Sequence, residues 1–281
     1  SIPLDKVVFA TGAVNASEIF AKNNYTIKPL TTRQFELEAS WQLQHFVPER
    51  SICNINKRFL CFNRAYQHRV HRLQLLAKMH RRNLLDQFYY SMLDGVDRSD
   101  IIASAAHVKG IEPDSYDTVG AMQELKPRMP MLLDTDDLKT NLAWVHTDTV
   151  TSYYDLTGIS VVTETLFHNG EIFFSEKTWH PMRMRHPFIL LNGPGALQRL
   201  RDYGYRTFSR WWDESYDSIV DPYLRLDAIE QLIADIADWP NYKYEQFVKE
   251  SVAVCQYNLN HLSTAHTRIS YTDSLNALFN S

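Results

Sequence analysis

Two groups of residues have the types and spacing that binding a phosphorylated ligand would need. The first is the run FLCFNRAYQHRVHRL, residues 59–73, in which Asn63 and Arg64 close a strand-like stretch and Arg69 opens a helix-like one. That order aims guanidinium groups and the free N–H groups of a helix start at one point. A diphosphate, whose negative charge is delocalised, is well held in this way. On spacing alone the plainer reading is favoured, in which these arginines cap and solvate a helix. The second group lies in residues 160–195. Glu164 follows a strand-like run, where doubly wound sheets place ligand-binding side chains. Ser175, Glu176 and Lys177 open a helix; a carboxylate there can bind a vicinal diol such as ribose, and the adjacent lysine a phosphate. An acid at a helix start also simply complements the helix dipole, so the Glu-Lys pair is weak evidence by itself.

Other candidates weigh less. The run MLLDTD imitates the apolar stretch plus Asp-X-Asp that holds a divalent ion on a diphosphate, with Asp134 and Asp136 as ligands. It follows Pro130 and lies outside a nucleotide-binding start, so no metal is expected. Glu164 and Glu171 flank His168 without a recognised catalytic spacing, and neither H-E-x-x-H nor a serine nucleophile elbow occurs. His180 and His186 have the chemistry of general bases, but structural roles are commoner. Trp179, Trp211 and Trp212 suit stacking on a base or sugar, with core packing the safer assumption. Residues 213–217, DESYD, read as a polar approach to a helix, without a catalytic role.

These residues need elements to carry them. Strand-like runs fall at residues 6–11, 26–30, 58–62, 158–163 and 188–191. Helical spacing covers 16–21, 33–46, 69–79, 175–185, 196–203, 223–237 and 244–262. In the helix from 69, Val70, Leu73, Leu76 and Ala77 make one apolar stripe. Residues 95–131 are mixed, with turn signals at Gly110, Pro113, Gly120, Pro127 and Pro130. Strand, helix, strand, helix in succession favours a parallel α/β sheet. The strand, polar loop and helix over residues 58–79 form a βα unit whose helix start suits a phosphate.

With 281 residues the chain is long enough for one large domain or two modest lobes. The formal charge of −4 gives no support to a protein that mainly coats nucleic acid. Its distribution is uneven: residues 51–85 hold no Asp or Glu but include Lys57, Arg58, Arg64, Arg69, Arg72, Lys78, Arg81 and Arg82. Such a run is either a solvated helix face or an anion site. Cys53, Cys61 and Cys255 lack the spacing of a disulfide framework or zinc site, and two of the three read as inert core residues in strand-like sequence. No secretory leader is recognised and no apolar stretch is long enough to span a bilayer, so a cytoplasmic, reducing compartment is expected.

Taken in order, the two segments resemble the donor-binding lobe of GT-B glycosyltransferases related to the α1,3-fucosyltransferases. The likeness is closest to the fucosyltransferase-like or exostosin-like proteins of large DNA viruses and phages. It is carried by Phe62-Asn63 with Arg69, by Thr163-Glu164-Thr165, by Ser175-Glu176-Lys177 and by Leu191-Asn192-Gly193-Pro194. It spans roughly residues 58–217. Thr165 departs from the family's usual Asn, and Arg183, Arg185 and His186 fill a stretch that is often smaller and more apolar.

The resemblance implies a GT-B-like α/β fold. Residues 1–50 would be a reduced acceptor-side lobe, 51–222 a Rossmann-like donor lobe with a parallel sheet, and 223–281 helices packing back. It further implies transfer of a sugar from a nucleotide-diphosphate donor to an acceptor hydroxyl, with no obligatory cofactor or metal. Donor contacts are expected from Asn63, Arg64, Arg69, Glu164, Thr165, Ser175, Glu176 and Lys177. Arg69 and Lys177 would meet the diphosphate and Glu176 the ribose. The catalytic base is unassigned; Asp5 and Glu18 lie in the N-terminal part without a motif to choose between them. The acceptor stays open between a hydroxymethylated DNA base, a glycan and a protein, and for a viral chain the compartment would be the host cytoplasm. The rival expectation is a non-catalytic nucleic-acid-binding α/β protein that uses the basic 57–82 region.

Overall fold

In the computed structural model, residues 8–63, 69–92, 118–128, 133, 148–168 and 170–270 are described. The chain begins with a small βαβ unit: β1 (Val8–Thr11), α1 (Ala16–Lys22) and β2 (Lys28–Thr31), the two strands paired in parallel. Helix α2 (Gln34–His45) follows and ends before Pro48, as the sequence predicts.

The central sheet is built from buried runs. β3 (Lys57–Asn63) is followed by α3 (Val70–Arg81), and then by β4 (Phe88–Met92), a strand the sequence reading did not separate. Next come α4 (Thr118–Leu125) and α5 (Asp148–Asp155), then β5 (Thr157–Thr163), α6 (Glu176–Arg183), β6 (Phe188–Leu191) and α7 (Ala196–Asp202). Every residue of β5 and β6 is buried, which is why β6 reads as an unbroken apolar run and β5, despite Thr157, Ser160 and Thr163, shows no alternation of buried and exposed positions. The strand order is β4-β3-β5-β6, all neighbours parallel, with Phe59 opposite both Phe88 and Ile159, and Val161 opposite Ile189. From β3 the chain moves outward to β4, then returns to lay β5 on the other flank. The order therefore reverses between β3 and β5, and in open α/β sheets the crevice beyond such a reversal, at the carboxyl ends, is where ligands bind. The described chain is thus a mixed α/β protein with parallel sheets, compatible with a Rossmann-like arrangement.

Helix α3 differs from the expected half-solvated helix. Besides Val70, Leu73, Leu76 and Ala77, it buries His71, Arg72, Gln74, Leu75 and Met79. The sheet covers one side, while α4 and α8 (Pro222–Ala237) pack on others. Each fully buried Leu or Met here contributes about 1.5–3 kcal/mol.

Asp221 caps α8 by accepting the Tyr223 and Leu224 N–H groups, both at 2.9 Å, ahead of Pro222 in the first turn. The chain continues into α9 (Asn241–Ser263) and α10 (Ala265–Arg268). Helix α9 docks on the amino end of the sheet, where the Tyr244 hydroxyl donates to the Arg58 carbonyl at 2.8 Å. A Cβ at residue 158 would stand 2.1 Å from that hydroxyl, so β5 needs Gly158 there. Of the cysteines, Cys61 on β3 and Cys255 on α9 are buried, so one of the two lies on a helix rather than a strand; Cys53 is exposed. Burial pushes both buried thiols up to about 12, which makes them unreactive. Among the described residues no helix is long and apolar enough to cross a membrane.

Candidate functional site

The carboxyl ends of β3 and β5 are tied side chain to side chain: the Thr163 hydroxyl donates to the Asn63 amide oxygen, and the Asn63 amide donates to the Tyr90 hydroxyl at 3.1 Å. Asn63 is fully buried, so it holds the strand ends together instead of facing a ligand.

Glu164 is also fully buried. Its carboxylate accepts the Ser175 N–H at 2.9 Å, the Ser175 hydroxyl at 2.6 Å, the Thr178 hydroxyl at 2.6 Å and the Thr165 N–H at 3.2 Å. Ser175 in turn caps α6 by accepting the Lys177 N–H at 3.3 Å. The donor contacts expected of Glu164 and Ser175 are therefore taken up inside the protein. Both residues fix where α6 starts relative to β5, because a buried carboxylate must have its lone pairs filled. Thr165 is partly exposed beside them.

What this support presents is the pair after the cap. Glu176 and Lys177 are both partly exposed and form an ion pair with each other. Glu176 borders Phe35, Glu38 and Gln42, so it faces α2. Lys177 borders Phe62, Tyr154 and Thr163, around a cavity of about 40 Å³ that admits no more than a small group without widening. His180 lines both spaces.

Across the crevice is the start of α3. Arg69, partly buried, precedes its first turn. Arg72 donates to the Thr163 carbonyl at 3.0 Å. The His71 Nε2–H donates to the Glu164 carbonyl at 2.9 Å, while His71 Nδ1, on a residue 1% exposed, has no hydrogen-bond partner among the described residues. His71 stacks on Phe167 with ring centres 5.1 Å apart and meets His168 edge-on at 5.5 Å. Arg225 of α8 covers the other face of this group, donating to the Phe167 carbonyl and lying 4.4 Å above the Phe167 ring.

Burial, with Arg69 adding repulsion, lowers Arg72 to about 10, which leaves it charged at neutral pH. Burial and then Arg225 push His168 down to about 4, and burial, His168 and Arg72 hold His71 well below its ordinary value. Both imidazoles are neutral near pH 7, beside fixed guanidinium charge. The sequence reading did not assign His71, Arg72 or His168 to the site. The available signal was that residues 71 and 72 fall in the first turn of a helix that starts at a strand end.

A scan of protein-family models and a search of curated proteins find no match to the chain. The site must therefore be read from its own geometry.

Several other expectations resolve into structure. Arg64 lies outside the described residues, as do Asp5, Asp134 and Asp136. Glu18 pairs with Arg199 on the surface. His186 is buried against the Ser160 hydroxyl at 2.8 Å and the Thr157 carbonyl at 2.9 Å. Arg183 donates to Gln42 at 2.5 Å and Arg185 to the Pro48 carbonyl, so the basic departures near residue 185 bind α2 and its following loop. Within DESYD, Asp217 caps α7 by accepting the Leu197 and Gln198 N–H groups at 2.8 and 3.1 Å, and Glu214 accepts the Phe208 N–H at 2.7 Å.

Chemically, the reversal of strand order offers two helix starts, that of α3 with Arg69 and Arg72 and that of α6 with Lys177, whose charge is paired with Glu176. Such a place stabilises an anion, and it does so best for one that gains charge during a reaction.

Proposed function

We propose that the chain is a glycosyltransferase that uses a nucleotide-diphosphate sugar and needs no metal. The observation that carries this reading is the placing of α3 and α6: both start at the reversal of strand order, one bringing Arg69, the other Lys177. In this reading an acceptor hydroxyl attacks the anomeric carbon, the bond to the diphosphate breaks, and the departing diphosphate is stabilised by Arg69, Lys177 and the two helix starts. Arg72 and Glu164 act behind them, holding α3 and α6 to β5. Glu176 meets the ribose hydroxyls. The GT-B arrangement, with the βαβ unit of β1 and β2 as a reduced acceptor-side lobe, belongs to the same proposal, as does an acceptor hydroxyl on a modified DNA base, a glycan or a protein.

The nucleic-acid-binding alternative draws less support. The described basic residues of 57–82 do not form one strip: Lys57 and Arg58 lie at the amino end of β3, where they donate to the carbonyls of Asp86, Ile236 and Trp239. Lys78 and Arg82 pair with Glu230 of α8, and Arg81 with Glu124 of α4.

The test is a thermal-shift series with nucleoside diphosphates and nucleotide sugars, with and without a chelator, on the native chain and on Arg69→Ala and Lys177→Ala. Stabilisation by one diphosphate that survives chelation and disappears in both variants is expected. No response to any nucleotide, with salt-sensitive stabilisation by DNA or RNA, would overturn the reading in favour of the alternative.

A further inference from the structure

A second cleft, of about 490 Å³, opens between α8 and the segment around residues 211–216, away from the crevice. Its volume lies in the range of small-ligand sites, about 300–1,000 Å³. Three indoles border it, those of Trp211, Trp212 and Trp239. All three pack on one buried ring, with centroids 5.6, 5.3 and 5.7 Å from Phe247. They form a fixed aromatic wall, and rings so held lose little entropy on meeting a ligand.

The polar groups of the cleft are exposed and have bonding capacity left. Asp213 accepts the Ser215 N–H at 2.9 Å and the Ser215 hydroxyl at 2.6 Å. Asp235 accepts only the Gln231 amide, at 2.7 Å, of the bonds the structure shows. An ionised carboxylate has about four acceptor positions, so each can take further O–H donors. The Trp212 Nε1–H has no hydrogen-bond partner among the described residues, and that residue is only 6% exposed. A buried indole N–H without a partner is uncommon, because it usually costs about 1–3 kcal/mol.

The charge pattern narrows the ligand. Charges of both signs meet there, Asp213 and Asp235 with Lys243 in the lining and Arg210 beside Trp211, so net charge selects neither an anion nor a cation. The Lys243 ammonium stands 4.2 Å above the Trp239 ring and the Arg210 guanidinium 5.4 Å above the Trp211 ring. What remains is a neutral molecule with flat C–H faces for the indoles and hydroxyl groups for the carboxylates. We propose that this cleft binds a neutral oligosaccharide, whose sugar faces take the places of Lys243 and Arg210 against Trp239 and Trp211 and whose hydroxyls donate to Asp213 and Asp235. The assignment rests on the cleft alone and holds whether or not the crevice binds a nucleotide sugar. If it does, the cleft would anchor a glycan acceptor or product away from the reacting end. Helix α8 separates the two places: Arg225 meets Phe167 near the crevice, while Ile236 and Trp239 lie at the amino end of the sheet with Arg58.

The test is titration of the full chain with maltohexaose, cellohexaose, chitohexaose, mannohexaose and xylohexaose, read by tryptophan fluorescence. Asp213→Asn, Asp235→Asn and Trp239→Phe, all of which keep side-chain shape or packing, serve as comparisons. A saturable change with at least one sugar is expected, weakened about tenfold in each variant and unchanged by added salt. No saturable change with any of the five, undiminished binding by all three variants, or binding of choline or single-stranded DNA in place of sugar would overturn the proposal. The nucleotide thermal-shift series is independent, so failure of either reading is seen separately.

Discussion

At its carboxyl end α3 spends its positive charge on carboxylates: Lys78 on Asp227 and Glu230, Arg82 on Glu230, and Arg81 on Glu124. At its amino end the bonds shown for Arg72 and His71 go to the backbone carbonyls of Thr163 and Glu164. Glu164, a buried carboxylate nearby, is filled by N–H and O–H donors and acts on Arg72 through its charge. The carboxyl end of the helix is therefore tied to its neighbours by ion pairs, while the contacts shown at the amino end tie Arg72 and His71 to backbone carbonyls at the end of β5. Residue type alone does not distinguish a structural cation from a binding one; what its nearest carboxylate is already doing does.

The largest expected effect comes from emptying the carboxylate at the amino end. Glu164→Ala leaves the Ser175 N–H and the Ser175 and Thr178 hydroxyls without an acceptor, at a cost of about 3–5 kcal/mol in urea denaturation. Glu164→Gln should lose less, since its amide oxygen still accepts. If Glu164→Ala loses under about 1 kcal/mol, Glu164 is not the pin that sets α6 and the comparison breaks.

Next in size is a pH effect to which the same end contributes, alongside buried His186 at the start of β5. The unfolded His168 imidazole takes a proton below its ordinary value of 6.5, but in the folded chain it does so only near 4. Between those values the unfolded state binds more protons, so stability falls as pH falls from about 6.5 to about 4 and is fully present above 6.5. His168 accounts for about 3 kcal/mol at most, and His71 acts in the same direction. The gap between denaturation midpoints at pH 5 and pH 7.5 should narrow in His168→Asn, with His71 and His186 keeping the remainder; an unchanged gap would move the effect elsewhere.

The smallest effect tests the other end. Glu230→Gln weakens the pairs with Lys78 and Arg82, both partly buried, and should cost about 1–2 kcal/mol, less in high salt. Nucleotide stabilisation should not change in that variant. If it does, the carboxyl end of α3 takes part in binding and the division between the two ends is lost.

How much of this could be read beforehand follows from what is local. Residues 188–191 are apolar without interruption and form β6 over that same span. Asp221-Pro222 gives α8 its start, because cap and first turn are neighbours in sequence. The strand FYYSM was missed for a related reason: it follows a short turn after α3 without a Gly or Pro signal, and its aromatics suit a helix stripe as well as a strand. Residues 118–125, lost among turn signals, form a helix because Val119, Ala121, Met122 and Leu125 find a buried place near α3.

The sequence by itself determined the parallel α/β character, most element positions, and the gathering of Arg69, Glu164 and Lys177 at the ends or starts of elements. Periodicity and capping carry that information, since both act within a few residues. Only the tertiary structure decided that β5 lies beside β3, that Glu164 and Asn63 face inward as supports, and that Arg72 is buried while Arg82 is paired. Those outcomes depend on which distant segment covers a side chain. Glu164 meets Thr178 across fourteen residues of chain, and Lys78 meets Glu230 across α8. A residue's neighbours along the chain carry little record of such partners, because burial and pairing are settled when elements pack, not when they form.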